Sequence, residues 1–233
     1  MRRSILLLKC GSGNPAVVAR FGDYESFFIR ALGGDPARFT VVAPYKGEPL
    51  PDPSRHSAVL ATGSAFSVTE KRPWMAETAE YLLSAGEKRV PVLGVCFGHQ
   101  LLCEALGAPV QKSPKGREFG TVSLELTDEG RRDPIFAGLA ARIEVQASHE
   151  DEASLLPAGA RLLAGNGHSA VQAIAFGDFV RGVQFHPEWH REAIRAMGEV
   201  RRLQPQAYRA EETPAGKAVL RNFEERFIAP REG

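Results

Sequence analysis

The chain has 233 residues, 43% of them apolar and 24% charged, with 29 Lys and Arg against 28 Asp and Glu and a formal net charge of +1. That balance belongs to an ordinary globular protein with one sizeable core, and it argues against nucleic acid or a membrane surface as the main partner. No run approaches the roughly 20 apolar residues of a membrane span.

Three cysteines (Cys10, Cys96, Cys103) are too few for a disulfide framework at this size, so a reducing, cytoplasmic location is expected. Met1-Arg2-Arg3-Ser4 followed by Ile5–Leu8 imitates a secretion signal. Lys9 ends that apolar run well short of the roughly 7–15 residues such a signal needs. In the first half, short apolar strands are expected at Ile5–Lys9, Phe39–Ala43, Ala58–Ala61 and Val90–Val95. Between them the pattern predicts helices over Tyr24–Leu32, with Asp23 as its cap and Gly33-Gly34 as its stop, and over Trp74–Ala85, with Pro73 in its first turn. A further helix follows Cys96 and stops at Gly107. Strand–helix alternation of this kind predicts a largely parallel sheet covered on both faces, with reactive groups at the carboxyl ends of its strands.

The second half changes character. Thr121–Leu126, Arg142–Ala147, Leu162–Gly165, Val171–Phe176 and Val180–Phe185 read as successive strands, the last two joined by a hairpin at Gly177-Asp178. A helix near Arg191–Leu203, a polar loop over Gln204–Thr213 and a last helix around Lys217–Phe227 close the chain. No linker divides it, so residues 1–233 are expected to form a single α/β domain whose second half adds strands. Arg131-Arg132 and Arg201-Arg202 read as solvated surface, as do His56, His168 and His190.

Two stretches carry the chemistry. Gly94-Val95-Cys96-Phe97-Gly98-His99-Gln100 sets a cysteine between glycines on a tight strand-to-helix turn, the thiol form of a nucleophile elbow. The helix N-terminus favours the thiolate there. Downstream, a strand runs into His186-Pro187-Glu188, which supplies a base and an acceptor to hold it. His99 is expected to pack rather than act as base, and Cys103 to lie in the helix interface. Asp151 is expected to hold its own loop. No cluster has zinc-like spacing, so neither metal nor other cofactor is expected.

These stretches resemble the class I, or triad-type, glutamine amidotransferases. Thr62-Gly63-Ser64 and Ser148-His149-Glu150-Asp151 extend the likeness, which runs from about Ile5 to Trp189. Phe21-Gly22-Asp23-Tyr24 and Pro73-Trp74 look most like stand-alone members, among them γ-glutamyl peptidase-like proteins, beside the amidotransferase domains of GMP-synthase type. The resemblance implies a flavodoxin-like α/β fold and cleavage of the γ-amide of glutamine, or of a γ-glutamyl compound, through a thioester on Cys96. His186 would be general acid and base and Glu188 its partner. The N–H of Phe97, the residue after the nucleophile, is a natural oxyanion donor, and the resemblance adds Gly63. It places Gln100, Ser148 and His149 against the substrate, the last two mainly through backbone. Glu118 stands between a contact to the substrate ammonium and an ordinary surface glutamate.

Two versions follow: a glutaminase that passes ammonia to a separate synthase, or a hydrolase acting alone. Two other classes stay open. An α/β-hydrolase-type thiol hydrolase would recruit Asp178 and His186, and a regulator on the same scaffold would need no turnover.

Overall fold

The structure, a computed structural model, describes residues 4–228. Strands β1 (Ile5–Leu8), β2 (Phe39–Val42), β3 (Ala58–Ala61) and β4 (Val92–Val95) alternate with helices α1 (Pro15–Phe21), α2 (Tyr24–Ala31), α3 (Pro73–Glu87) and α4 (Phe97–Ala105). After them come β5 (Val110–Lys112), β6 (Glu118–Leu126), α5 (Asp128–Arg132), β7 (Arg142–His149), β8 (Asp151–Ala153), β9 (Ala160–Gly165), β10 (Ala173–Phe176) and β11 (Val180–Val183). Helices α6 (Arg191–Val200) and α7 (Pro214–Phe223) follow, with a wider π-type turn over Glu224–Ile228.

One nine-stranded sheet runs in the order β2-β1-β3-β4-β11-β10-β9-β6-β7, and β5 pairs with β8 in a small second sheet. The first five strands of that order are parallel, and the remaining four extend it antiparallel. This is the α/β arrangement expected: a parallel sheet flanked by helices, with strands added by the second half. In β1, Ile5 and Leu7 enter one apolar core while Leu6 and Leu8 enter the other, on the opposite face. Such strands read as unbroken apolar runs because both faces are covered.

Several boundaries differ from the expectations. Helix α1, capped by Asn14 whose side chain accepts from Ala16 N, was not anticipated, nor was the β5–β8 pair. β6 starts at Glu118 and β7 runs on to His149, both longer than their apolar segments. β10 starts at Ala173 because the register with β9 slips beside it. β11 stops at Val183. There β4 has turned into the elbow, and Gln184 N bonds to Gln172 O instead.

His56 is buried, not at the surface: its Nδ1 lies 3.1 Å from Ser4 Oγ. Among the described residues, no helix is long and apolar enough to cross a membrane.

Candidate active site

Strands β3, β4 and β11 are consecutive in the sheet and parallel, so their carboxyl ends open on one side. The register sets Val183 beside Val95, and Cys96 N donates to Val183 O at 2.8 Å. Cys96 therefore meets the segment leaving β11, which carries Gln184 and His186. Gly63 leaves β3 on the other flank.

Cys96 has φ 51°, a left-handed conformation that strains a residue with a side chain. It directly precedes α4, with Gln100 N donating to its carbonyl at 3.0 Å. The flanking glycines make the turn possible. A Cβ on Gly94 would come 2.6 Å from the Gly98 carbonyl, and one on Gly98 would come 2.7 Å from Ala61 O. Trp74 stacks on Phe97, ring centroids 5.7 Å apart, and anchors the start of the helix.

On one side, His186 stands close enough to Cys96 for the sulfur to favour its charged form. On the other, its Nδ1 lies 2.7 Å from Glu188 Oε1, with both side chains buried. Burial opposes its charge, but Glu188 and Cys96 outweigh burial and raise its pKa from 6.5 to about 9. At neutral pH the imidazole is therefore a cation between a carboxylate and a sulfur. Trp189 lies flat on it, centroids 3.4 Å apart and planes within 1°. The N–H groups of Gly63 and Phe97 find no acceptor among the described residues. Two open donors beside a sulfur match what an oxyanion developing there would need.

Cys96 opens into a cleft of about 180 Å³ lined by Ser64, Phe97, Gln100, Arg117, Ser148 and Asp151, among others. It is walled largely by polar groups of both signs. The Gln100 amide is spent inside the wall, donating to Asp151 O at 2.8 Å and to Gln184 Oε1 at 3.2 Å.

The sequence profile of the family described as glutamine amidotransferase class-I matches residues 59–196, more than half of the chain, including Gly63, Cys96, His186 and Glu188. The chain belongs to the class I glutamine amidotransferases. It is 33% identical over 168 residues to a glutamine-hydrolysing GMP synthase subunit from Saccharolobus solfataricus, covering 72% of this chain and 85% of that one. It is 24% identical over 198 residues to gamma-glutamyl peptidase 5 of Arabidopsis thaliana, covering 83% and 78%. Among solved structures, a glutamine amido transferase from Methylobacillus flagellatus superposes with TM-score 0.75 at 22% identity, covering 100% of this chain and 98% of that one. One from Thermotoga maritima superposes with TM-score 0.77 at 22% identity, covering 99% and 100%. These last two likenesses establish the shared fold.

Within this family fold, the site differs from the sequence reading in several places. Glu118 is neither at the surface nor against the cleft. Buried, it meets His149 Nε2 at 2.8 Å and accepts from Asn166 and Gln172 at 2.6 Å each. Burial raises its pKa, but those donors outweigh it and hold the carboxyl below the ordinary carboxylate value. The His149 side chain is held in that network, its Nδ1 3.1 Å from Asp151 O, while the residue itself lines the cleft. Asp151 lines the cleft and accepts from Ser67, so it joins two loops rather than holding its own.

Arg201 is exposed as expected, and from the surface its Nη1 donates to Ser148 Oγ at 2.9 Å while the residue borders the cleft. Among the described residues it pairs with no carboxylate. His99 is fully buried, and burial lowers its pKa to about 4. Cys103 is buried beside it, with Sγ 3.6 Å from His99 Nε2.

Gln184 escaped the sequence reading. Its Nε2 donates to Cys96 Sγ at 3.7 Å. Its place two residues before His186 was the available signal, but a glutamine in a strand reads as ordinary.

Proposed function

We propose that this protein hydrolyses the γ-amide bond of glutamine or a γ-glutamyl compound through a thioester on Cys96. The observation that carries the reading is the placement of His186, its Nδ1 2.7 Å from Glu188 Oε1, beside Cys96 and the open N–H groups of Gly63 and Phe97. The thiolate adds to the γ-carbonyl carbon, and the oxyanion is met by those two N–H groups. The C–N bond breaks as His186 gives its proton to the departing amine, which leaves the γ-glutamyl thioester. His186 then takes a proton from water as the hydroxyl adds. The C–S bond breaks, releasing glutamate and restoring the thiolate–imidazolium pair. Glu188 keeps the imidazole oriented and supports its charge.

The glutamyl end fits the polar cleft. Arg201, bound to Ser148 and short of a carboxylate partner, offers a cation to the α-carboxylate, and Asp151 offers an anion to the α-ammonium. Gln100 acts by holding Asp151 and Gln184 in place. The name of the Saccharolobus relative supports a protein that delivers ammonia to a separate synthase, and that of the Arabidopsis relative supports a hydrolase acting alone. All three cysteines are free, which supports a reducing, cytoplasmic setting.

The test is release of glutamate and ammonia from glutamine, beside release of amines from γ-glutamyl dipeptides, by wild type and Cys96→Ala. Turnover that disappears with the sulfur is expected. Turnover that survives Cys96→Ala would remove the cysteine from the mechanism.

A further inference from the structure

We propose that a second cavity, walled in part by the Trp189 that stacks on His186, is an amine-side subsite for an apolar substituent on the leaving group. The inference rests on the hydrolytic reading above and narrows its substrate to γ-glutamyl amides of apolar amines, such as γ-glutamyl-leucine or γ-glutamyl-phenylalanine.

The cavity has a volume of about 190 Å³, and its apolar walls are Val17 and Val18 of α1, Tyr24 and Phe27 of α2, Trp189, and Met197 and Val200 of α6. Its floor is rigid, because Phe27 and Trp189 pack with Ala193 and Ile194 in a third apolar cluster separate from the two sheet cores. One carboxylate reaches it, that of Asp23. It is turned to Lys9 Nζ at 2.7 Å and Gly13 N at 2.8 Å, so it offers no free charge to a ligand.

Three relationships tie this cavity to the reaction. Trp189 forms part of its wall and lies face to face with the proton-giving imidazole. Tyr24, another wall residue, feels the Cys96 charge: burial and then that charge push its phenol upward. Arg201 borders this cavity and the polar cleft alike, so the two adjoin.

The departing amine must stand beside His186, from which it takes its proton, and its substituent must extend away from the glutamyl end. The glutamyl end carries an ammonium and a carboxylate, which an apolar pocket would strip of water at high cost. The polar cleft is therefore the glutamyl side and the apolar cavity the amine side. An apolar cavity of about 150 Å³ holds a benzene molecule, so this one accommodates a leucine or phenylalanine side chain. Release of ammonia from glutamine would leave it unused.

Binding to the full-length Cys96→Ala protein tests this without requiring turnover. Calorimetric titration with γ-glutamyl-leucine, γ-glutamyl-phenylalanine and γ-glutamyl-glycine should show the two apolar compounds binding about tenfold or more tighter than the glycine compound. Adding Val18→Asn or Val200→Asn should erase that advantage and leave γ-glutamyl-glycine binding as before, which also reports an intact fold. Equal affinity for all three compounds overturns the proposal, as does an advantage that survives both substitutions, or no binding at all. A retained preference with no hydrolysis by the wild type overturns the hydrolytic reading alone.

Discussion

A Cβ on Gly63 would stand 2.8 Å from His186 Cε1 and 3.7 Å from Cys96 Cβ. The end of β3 thus presses its bare backbone against the imidazole, beside Cys96. The backbone of Gly63 lies outside the left-handed region, so alanine is excluded there by the imidazole and not by φ. Gly63→Ala should push His186 off Cys96 and reduce kcat/KM by about 10² or more, since displacing a reacting group by an ångström costs on that order. Steady-state kinetics beside a thermal melt checks this: activity should fall while Tm moves by a few degrees at most.

Charge around His186 sets the pH profile. With its pKa raised to about 9, the imidazole gives up the proton needed by the leaving amine above that pH, so kcat/KM should fall on an alkaline limb near 9. Glu188→Gln removes the strongest raising influence, so the limb should move toward lower pH. Stability follows the same linkage. A histidine raised above its unfolded 6.5 adds stability that is complete below 6.5 and lost as pH rises through about 9. Glu188→Gln should therefore destabilise most in mild acid and least above pH 9. A rate profile and urea titrations at both extremes read the two effects separately.

Arg201 reaches the polar cleft as a cation paired with a hydroxyl, not a carboxylate. Arg201→Gln should raise KM for glutamine or γ-glutamyl compounds by about tenfold or more, the worth of a charge-assisted hydrogen bond, and leave kcat nearly unchanged. A fall in kcat at constant KM would place Arg201 in the chemical step.

Far from the cleft, the mid-β11 Arg181 donates from Nε to both oxygens of Asp133, at 2.9 and 3.0 Å, with both side chains buried. Removing one member strands the other charge in the interior. Asp133→Ala should cost about 3–5 kcal/mol, and the paired substitution Asp133→Leu with Arg181→Met should recover much of it. Urea denaturation of wild type and both variants tests this.

What could be read in advance follows from what is local. β1, β3 and β4 were legible because each is apolar on both faces, so every residue announced burial. β5 and β8 were not: Lys112, Asp151 and Glu152 carry no apolar alternation, and their pairing joins segments far apart in the chain. Helix α1 carried its signal in Asn14-Pro15, a cap followed by a first-turn proline, but seven residues offer too few turns for a periodic pattern. Glu118 was misjudged because burial of a carboxylate depends on donors from β7 and from the loop after β9.

The sequence by itself determined the elbow around Cys96 and the His186–Glu188 pair, because a turn that needs glycines and an acceptor two residues from a base are short-range facts. Only the tertiary structure decided that the two meet. β4 and β11 become neighbours because burying both faces of a parallel sheet selects strand order over the whole chain. Their register then sets Val183 beside Val95 and brings His186, Gln184 and Gly63 around one sulfur. Arg201 arrives by the same route: α6 packs against α1, and the residue just past its last turn gives a pair of surface arginines one member that borders the site.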